Sequence, residues 1–142
     1  MRIIIVRHAE PDYARDSLTE QGWREAELLS NRLSGLDVKA FYCSPLGRAK
    51  DTASLTLKKM NREATQLPWL TEFRGKVRRG LKMSSCWDRL PSEGTAEDNY
   101  YTKDKWQKTK LMKSYNVQKE YKLVCDGIDD LLRSHGYAHA GR

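Results

Sequence analysis

The hydrophobic positions along the chain form short apolar runs that alternate with longer segments of helical spacing. An unbroken apolar run at residues 3–6 predicts a strand over residues 2–7 that is buried on both faces, as in parallel α/β sheets. Residues 39–43 predict a second strand, and residues 65–70 predict a weaker third. Helices are predicted from Leu18-Thr19, with Thr19 as the cap, to Gly35, from Pro45 to about Lys59, and over residues 117–134. This alternation predicts an α/β fold.

The first predicted strand ends in a guanidinium and an imidazole, which belong to Arg7 and His8. In parallel α/β sheets, ligands bind outside the carboxyl ends of the strands, where these two side chains would lie. A neutral imidazole is a good nucleophile near neutral pH, and a guanidinium can bind two phosphate oxygens at once. The pair therefore indicates phosphoryl transfer, although a histidine at a strand end more often serves as a hydrogen-bonded structural group.

Two later segments would bring further charged groups to the same edge. Ser44 is predicted to cap the second helix, with Pro45 as its first residue, so that Arg48 lies in the first helical turn. The free N–H groups and the helix dipole at that point also favour an anion. Glu72 follows a short apolar segment, from which its carboxyl group could protonate a leaving oxygen.

Four segments together resemble the histidine phosphatase superfamily, the phosphoglycerate mutase-like enzymes, in order and in spacing. They are RHAE at 7–10, LTEQG at 18–22, SPLGRAKDTA at 44–53 and LTEFRG at 70–75. The resemblance implies a three-layer α/β/α fold with a mostly parallel sheet, and an activity that uses no metal or cofactor. It also implies that His8 is the nucleophile and that Glu72 is the general acid that later activates water. By the same resemblance, Arg7 and Arg48 bind the phosphoryl group.

The family pattern includes a second histidine, usually followed by glycine, at the end of a late apolar strand. His135 and Gly136 match these residue types, but helical spacing over residues 117–134 predicts that they end a helix. His135 is therefore predicted to lie at a helix C-terminus with Gly136 as the C′ residue, and His139 lies in the tail. We accordingly expect a single domain over residues 1–142 that is truncated before the second catalytic histidine, with one or more C-terminal strands missing.

The net charge of +7 is concentrated in one part of the chain. Residues 58–113 hold 14 Lys and Arg against 7 Asp and Glu, while the rest of the chain is balanced. Residues 76–115 predict a basic insertion, helical in pieces that break at Gly80, Pro91 and Gly94. This insertion would either steer an anionic substrate or present solvated charges above packed aromatic side chains. Nucleic-acid binding is a less favoured alternative, because no recognised module supports it.

Hydropathy and cysteine spacing bear on the protein's setting. The mean hydropathy is −0.78, and the apolar run at residues 3–6 is too short for a membrane span or a signal sequence. We therefore expect a cytoplasmic protein without membrane association. Cys43, Cys86 and Cys125 are widely separated and form no CxxC pair, so reduced thiols are expected rather than a disulfide framework or a zinc site.

The leading interpretation is a metal-independent phosphatase that acts on a small phosphorylated metabolite, a phosphomonoester. A phosphatase is favoured over a mutase because the family's mutases commonly carry an asparagine a few residues after the nucleophile, whereas residues 11–14 read PDYA. The main alternative is a catalytically impaired fragment, or pseudophosphatase, that retains an anion-binding pocket. Self-association through surfaces left open by truncation is a further expectation.

Overall fold

The computed structural model describes residues 2–138, which form two compact units, one ending at Thr71 and the other beginning at Glu72. The described residues contain six short strands and four α-helices, and the strands form three separate two-stranded sheets. No helix within residues 2–138 has the length and apolar character needed to cross a lipid bilayer. The structure is of the mixed α/β class, as the sequence predicts.

The first unit is organised around two helices. Its elements are β1 (Pro11–Asp12), β2 (Ser17–Leu18), α1 (Glu20–Leu33), β3 (Tyr42–Cys43), α2 (Gly47–Met60) and β4 (Thr65–Gln66), followed by a 3₁₀ turn at Pro68–Leu70. β1 pairs with β2 in antiparallel orientation, and β3 pairs with β4 in parallel orientation. α2 packs against α1, β2 and β3, so this helix is the central element of the unit.

The start of α1 agrees with the sequence prediction. Thr19 is the N-cap residue, and its hydroxyl accepts a hydrogen bond from the Gly22 N–H group at 3.1 Å. The same hydroxyl donates to the Glu10 carboxylate at 2.6 Å. Gly22 lies so close to the loop that a Cβ atom there would overlap the carbonyl oxygen of Glu10. The predicted capping role of Thr19 is confirmed, and these contacts attach α1 to the segment that follows His8.

The predicted strand over residues 2–7 is wrong, because the structure contains no strand there. Ile3 and Ile5 are 62% and 91% exposed, whereas the prediction made them buried. A strand exists only when a neighbouring segment takes its backbone hydrogen bonds, and no segment within residues 2–138 forms a ladder with this run. The apolar composition of a run makes its burial favourable, but the composition alone does not provide the second segment with which a strand must pair.

The other two predicted strands are confirmed in position but are shorter. Only Tyr42–Cys43 and Thr65–Gln66 form the parallel pair, and Pro68, which has no N–H group, begins the 3₁₀ turn that follows. The remaining strand pairs within residues 2–138 are antiparallel. The described strands therefore do not form the predicted mostly parallel sheet, and they do not show the three-layer arrangement.

The second unit begins with a β-hairpin. Its elements are β5 (Lys76–Arg79), β6 (Lys82–Ser85), α3 (Pro91–Gly94), 3₁₀ turns at Asp98–Tyr100, Trp106–Lys108 and Met112–Ser114, and α4 (Val117–Ser134). Residues 76–85 were predicted to be helical, but β5 and β6 pair in antiparallel orientation from Lys76 with Ser85 to Arg79 with Lys82, and Val77 in β5 is fully buried between exposed neighbours. Gly80 lies in the hairpin turn with φ +60°, a conformation that favours glycine.

The core of the second unit is formed by Val77, Cys86, Met112 and Val117. Tyr100 and Trp106 pack against this core, and the Trp106 ring lies edge-on to the Tyr121 ring at 5.2 Å. The Arg89 guanidinium lies over the Tyr100 ring at 4.2 Å from its centroid. The aromatic side chains of the basic segment are packed, as one of the two interpretations expects, but Arg89, whose side chain is 16% exposed, is not a solvated charge.

Candidate active site

His8 lies, half-buried, in the segment that leads into β1. Its Nδ1 atom is 2.8 Å from the carbonyl oxygen of Ala9. A carbonyl oxygen can only accept, so Nδ1 carries the proton and donates it in this hydrogen bond. The lone pair of the neutral imidazole is then on Nε2, which makes Nε2 the nucleophilic atom.

Thr52 attaches this segment to α2. The Ala9 N–H group donates to Thr52 Oγ1 at 3.0 Å, and the same hydroxyl donates to the carbonyl oxygen of Arg48 at 2.7 Å. Thr52 is 4% exposed, so both hydrogen bonds are formed away from bulk water. One buried hydroxyl therefore joins the residue after His8 to the first turn of α2, which carries Arg48.

Arg48 is held by a residue that the sequence analysis missed. Its Nη1 atom donates to Asp16 Oδ1 at 2.8 Å, and the N–H group of Gly47 donates to Asp16 Oδ2 at 2.6 Å. The Gly47 hydrogen bond, reinforced by Arg48 and partly offset by desolvation, lowers the pKa of Asp16 from its ordinary value. Asp16 lies 31 residues before Gly47, so no local sequence pattern signals this contact.

The residue that begins α2 differs from the prediction, because the carboxylate of Asp16 takes the place of the predicted Ser44 cap. Leu46 is the N-cap residue, and it makes no side-chain capping hydrogen bond. Ser44, the predicted cap, instead accepts a hydrogen bond from the Leu46 N–H group at 3.3 Å, and Pro45 precedes the helix. The helix N-terminus does attract an anion, as expected from its free N–H groups, but this anion is the carboxylate of Asp16.

Tyr13 contacts both His8 and Arg48. The Tyr13 ring lies edge-on to the His8 ring, with the centroids 6.5 Å apart and an angle of 84° between the rings. The guanidinium carbon of Arg48 is 5.4 Å from the centroid of the same Tyr13 ring. His8 and Arg48 therefore contact one shared aromatic side chain. Tyr13 was not predicted as a site residue, because residues 11–14 were interpreted only by their missing asparagine.

Arg7 and Glu72 complete the predicted set. Arg7 is exposed, and within residues 2–138 we find no hydrogen bond or ion pair that joins it to His8 or Arg48. Glu72 is the first residue of the second unit, and its side chain is exposed. The phosphate-binding role of Arg7 and the acid role of Glu72 both stay predictions.

His135 ends α4, as the sequence predicts. It is the C-cap residue of the helix, and Gly136 follows with φ +80°. The Gly136 N–H group donates to the carbonyl oxygen of Arg133 at 2.9 Å, and the Tyr137 N–H group donates to that of Leu132 at 3.0 Å. These two bonds make a Schellman motif, so the structural interpretation of His135 and Gly136 is confirmed. His139 lies outside the described residues.

Comparison with known proteins gives the same family as the four sequence motifs. The family model for the histidine phosphatase superfamily (branch 1) matches residues 3–136. A 2,3-bisphosphoglycerate-dependent phosphoglycerate mutase of Thermoplasma acidophilum is 35% identical over 99 residues. This match covers 63% of the present chain and 50% of the relative, so it spans half of that relative's length. The chain belongs to the histidine phosphatase superfamily.

Proposed function

We propose that the protein is a metal-independent phosphatase that hydrolyses small phosphomonoesters through a phosphohistidine at His8. The observation that carries this proposal is the imidazole of His8, whose Nδ1 proton is donated to Ala9 while its ring contacts the Tyr13 ring that Arg48 also contacts. A nucleophilic nitrogen and a fixed guanidinium are two of the groups that phosphoryl transfer through a phosphohistidine requires.

In the proposed first step, His8 Nε2 attacks phosphorus in line with the ester oxygen, so that a P–N bond forms while the P–O bond breaks. Glu72 gives its proton to the leaving alcohol. In the second step a water molecule, deprotonated by Glu72, attacks the phosphohistidine and releases inorganic phosphate and the free imidazole. Arg7 and Arg48 bind the equatorial phosphoryl oxygens throughout and stabilise the charge on them.

Phosphoglycerate mutase activity is the second candidate, because the relative from Thermoplasma acidophilum carries that name. Both activities begin with phosphorylation of a histidine, and they differ in the acceptor. A phosphatase passes the phosphoryl group to water, whereas a mutase returns it to another hydroxyl of a phosphorylated substrate. We favour water as the acceptor because the family's mutases commonly carry an asparagine a few residues after the nucleophile to hold substrate, whereas residues 11–14 read PDYA.

The decisive experiment measures phosphate release from p-nitrophenyl phosphate by the wild-type chain, by His8→Ala and by His135→Ala. His135 is a matched control because it is a histidine that caps a helix. We expect His8→Ala to fall to the rate of the uncatalysed reaction and His135→Ala to keep the wild-type rate. Circular dichroism of each variant separates a chemical defect from unfolding.

The acceptor is identified by a second assay with 3-phosphoglycerate and catalytic 2,3-bisphosphoglycerate. Formation of 2-phosphoglycerate without phosphate release would replace the phosphatase proposal with the mutase. A folded wild-type chain that shows neither activity but binds inorganic phosphate would favour the impaired pseudophosphatase with an anion-binding pocket. A folded chain with neither activity nor phosphate binding would contradict both proposals.

The layer arrangement, the location, the substrate and the self-association of the protein remain proposals. Membership of the superfamily supports the three-layer α/β/α arrangement and a cytoplasmic location, and a small phosphorylated metabolite is the proposed partner. The exposed side chains of Ile3 and Ile5 support self-association through residues 3–6. Light scattering over a range of protein concentrations tests this, and a monomer at every concentration would contradict it.

A further inference from the structure

Asp16 binds two different groups at the start of α2. One carboxylate oxygen accepts from the backbone of Gly47, and the other accepts from the guanidinium of Arg48. The Arg48 side chain is 11% exposed, so it is fixed between this carboxylate and its surroundings rather than extended into water.

We propose that Asp16 is a positioning residue for Arg48, and that it sets where the phosphoryl group binds beside His8. This inference rests on the proposed phosphatase function. An arginine that is already held in its binding geometry loses less conformational freedom when the substrate arrives, so the same contacts give tighter binding. The Tyr13 ring contacts both groups, so it limits how far the Arg48 guanidinium can move relative to the His8 imidazole.

The alternative is that the Asp16 carboxylate competes with phosphate for Arg48. The backbone geometry favours positioning instead. Gly47 lies so close to Asp16 that a Cβ atom on Gly47 would overlap the Asp16 carbonyl oxygen, so the backbone of residue 16 is packed against α2. Asp16 also has φ +50°, a conformation that aspartate and asparagine adopt more readily than most residues. A guanidinium carries five N–H donors in a planar fork, so a carboxylate and a phosphate can bind to the same arginine.

The test compares Asp16→Asn with Asp12→Asn. Asparagine keeps the positive φ and one carbonyl oxygen for Gly47, but it removes the charge that holds Arg48. Asp12 lies at the end of β1, accepts hydrogen bonds from the N–H groups of Ala14 and Arg15 and pairs with the Arg15 side chain, so its substitution removes an equal charge without a contact to Arg48. The readouts are the Kd for inorganic phosphate by calorimetry and the kcat and KM for p-nitrophenyl phosphate.

For Asp16→Asn we expect Kd and KM to rise about tenfold, while Asp12→Asn stays at the wild-type values. A double-mutant cycle shows whether Asp16 acts through Arg48. In an Arg48→Ala background, Asp16→Asn should have no further effect on Kd, which a general loss of stability would not produce. Tighter phosphate binding by Asp16→Asn would show competition and overturn the proposal, and so would an unchanged Kd.

A measurement on the wild-type chain covers the case in which Asp16→Asn fails to fold. Nitrogen-detected NMR of the Arg48 guanidinium should show hindered rotation at neutral pH and faster rotation when acid protonates Asp16. Free rotation at neutral pH would overturn the proposal. Failure of the proposed function has a different signature, because the wild-type chain would then release no phosphate from p-nitrophenyl phosphate, whereas the Kd values for inorganic phosphate would still test the positioning of Arg48 by Asp16.

Discussion

The Thr52 hydroxyl joins the segment that carries His8 to α2, and substitution of Thr52 tests how much this attachment contributes to stability. Thr52→Val keeps the shape of the side chain and removes the hydroxyl that accepts from Ala9 N–H at 3.0 Å and donates to the Arg48 carbonyl at 2.7 Å. The Arg48 carbonyl also belongs to the helical hydrogen-bond ladder, so the group that loses its partner is the N–H group of Ala9.

The expected loss in the free energy of unfolding depends on how deeply the Ala9 N–H group is buried. A buried donor left without a partner costs about 1–3 kcal/mol. Ala9 is only half-buried, so we expect Thr52→Val to lower the free energy of unfolding by about 1–2 kcal/mol. The rate of phosphate release should fall as well, because the segment that carries His8 would no longer be tied to the helix that carries Arg48.

Thr56 supplies a matched control on the same helix. It lies one turn after Thr52 and is 3% exposed, against 4% for Thr52. Its hydroxyl has no hydrogen-bond partner within the part of the chain that the structure describes. Thr56→Val therefore removes a buried polar group that gains nothing from its burial, and it should leave the free energy of unfolding unchanged or raise it by up to about 1 kcal/mol.

The assay is urea unfolding of both variants and the wild-type chain, followed by far-ultraviolet circular dichroism. The difference between the variants should be at least about 1 kcal/mol, with Thr52→Val the less stable. Equal stability of the two variants would refute the reasoning, because it would mean that the Thr52 hydroxyl bonds contribute nothing that the Thr56 hydroxyl does not.

Three further outcomes are expected for Tyr13, Asp16 and the cysteines. Tyr13→Ala should raise KM for an aryl phosphate about two- to fivefold through loss of the cation–π contact, and Tyr13→Phe, which keeps the ring, should not. Because the pKa of Asp16 is lowered by folding, its stabilising effect is present above the ordinary aspartate pKa and is lost as the pH falls through the lowered value. The gap in urea midpoint between wild type and Asp16→Asn should therefore narrow in acid. Burial raises the pKa of the Cys43 thiol, so a thiol reagent should modify Cys43 more slowly than the more accessible Cys125, as followed by mass spectrometry.

Features that depend on neighbouring residues could be predicted from the sequence. Thr19 caps α1 through a contact three residues away, and Gly136 ends α4 through bonds within the last turn. Both are local hydrogen bonds, so the residue types needed for them stand close together in the chain. The helical period over residues 117–134 was sufficient to assign His135 to a helix end for the same reason.

Features that depend on distant partners could not be predicted in this way. Residues 3–6 have the composition of a buried strand, but the pairing segment that would make them one is a non-local property. The hairpin at residues 76–85 was missed because Gly80 was taken as a helix breaker, although a glycine with positive φ also closes a two-residue hairpin turn. Asp16 was missed because the donors that it binds lie on a helix far along the sequence.

The close backbone contacts explain why three of the family motifs occur together in one chain. The loop that follows His8 meets α1 at Glu10, where only glycine at position 22 leaves room for the Glu10 carbonyl. It meets α2 at Asp16, where only glycine at position 47 leaves room for the Asp16 carbonyl. The second and third motifs therefore each contribute a glycine and a threonine hydroxyl, and these groups contact the first motif or the loop that follows it. The segment from His8 to Asp16 is thus held by α1 and α2 together, so the geometry of the candidate site depends on the packing of two helices against one loop and not on the strand that the sequence predicted at residues 2–7.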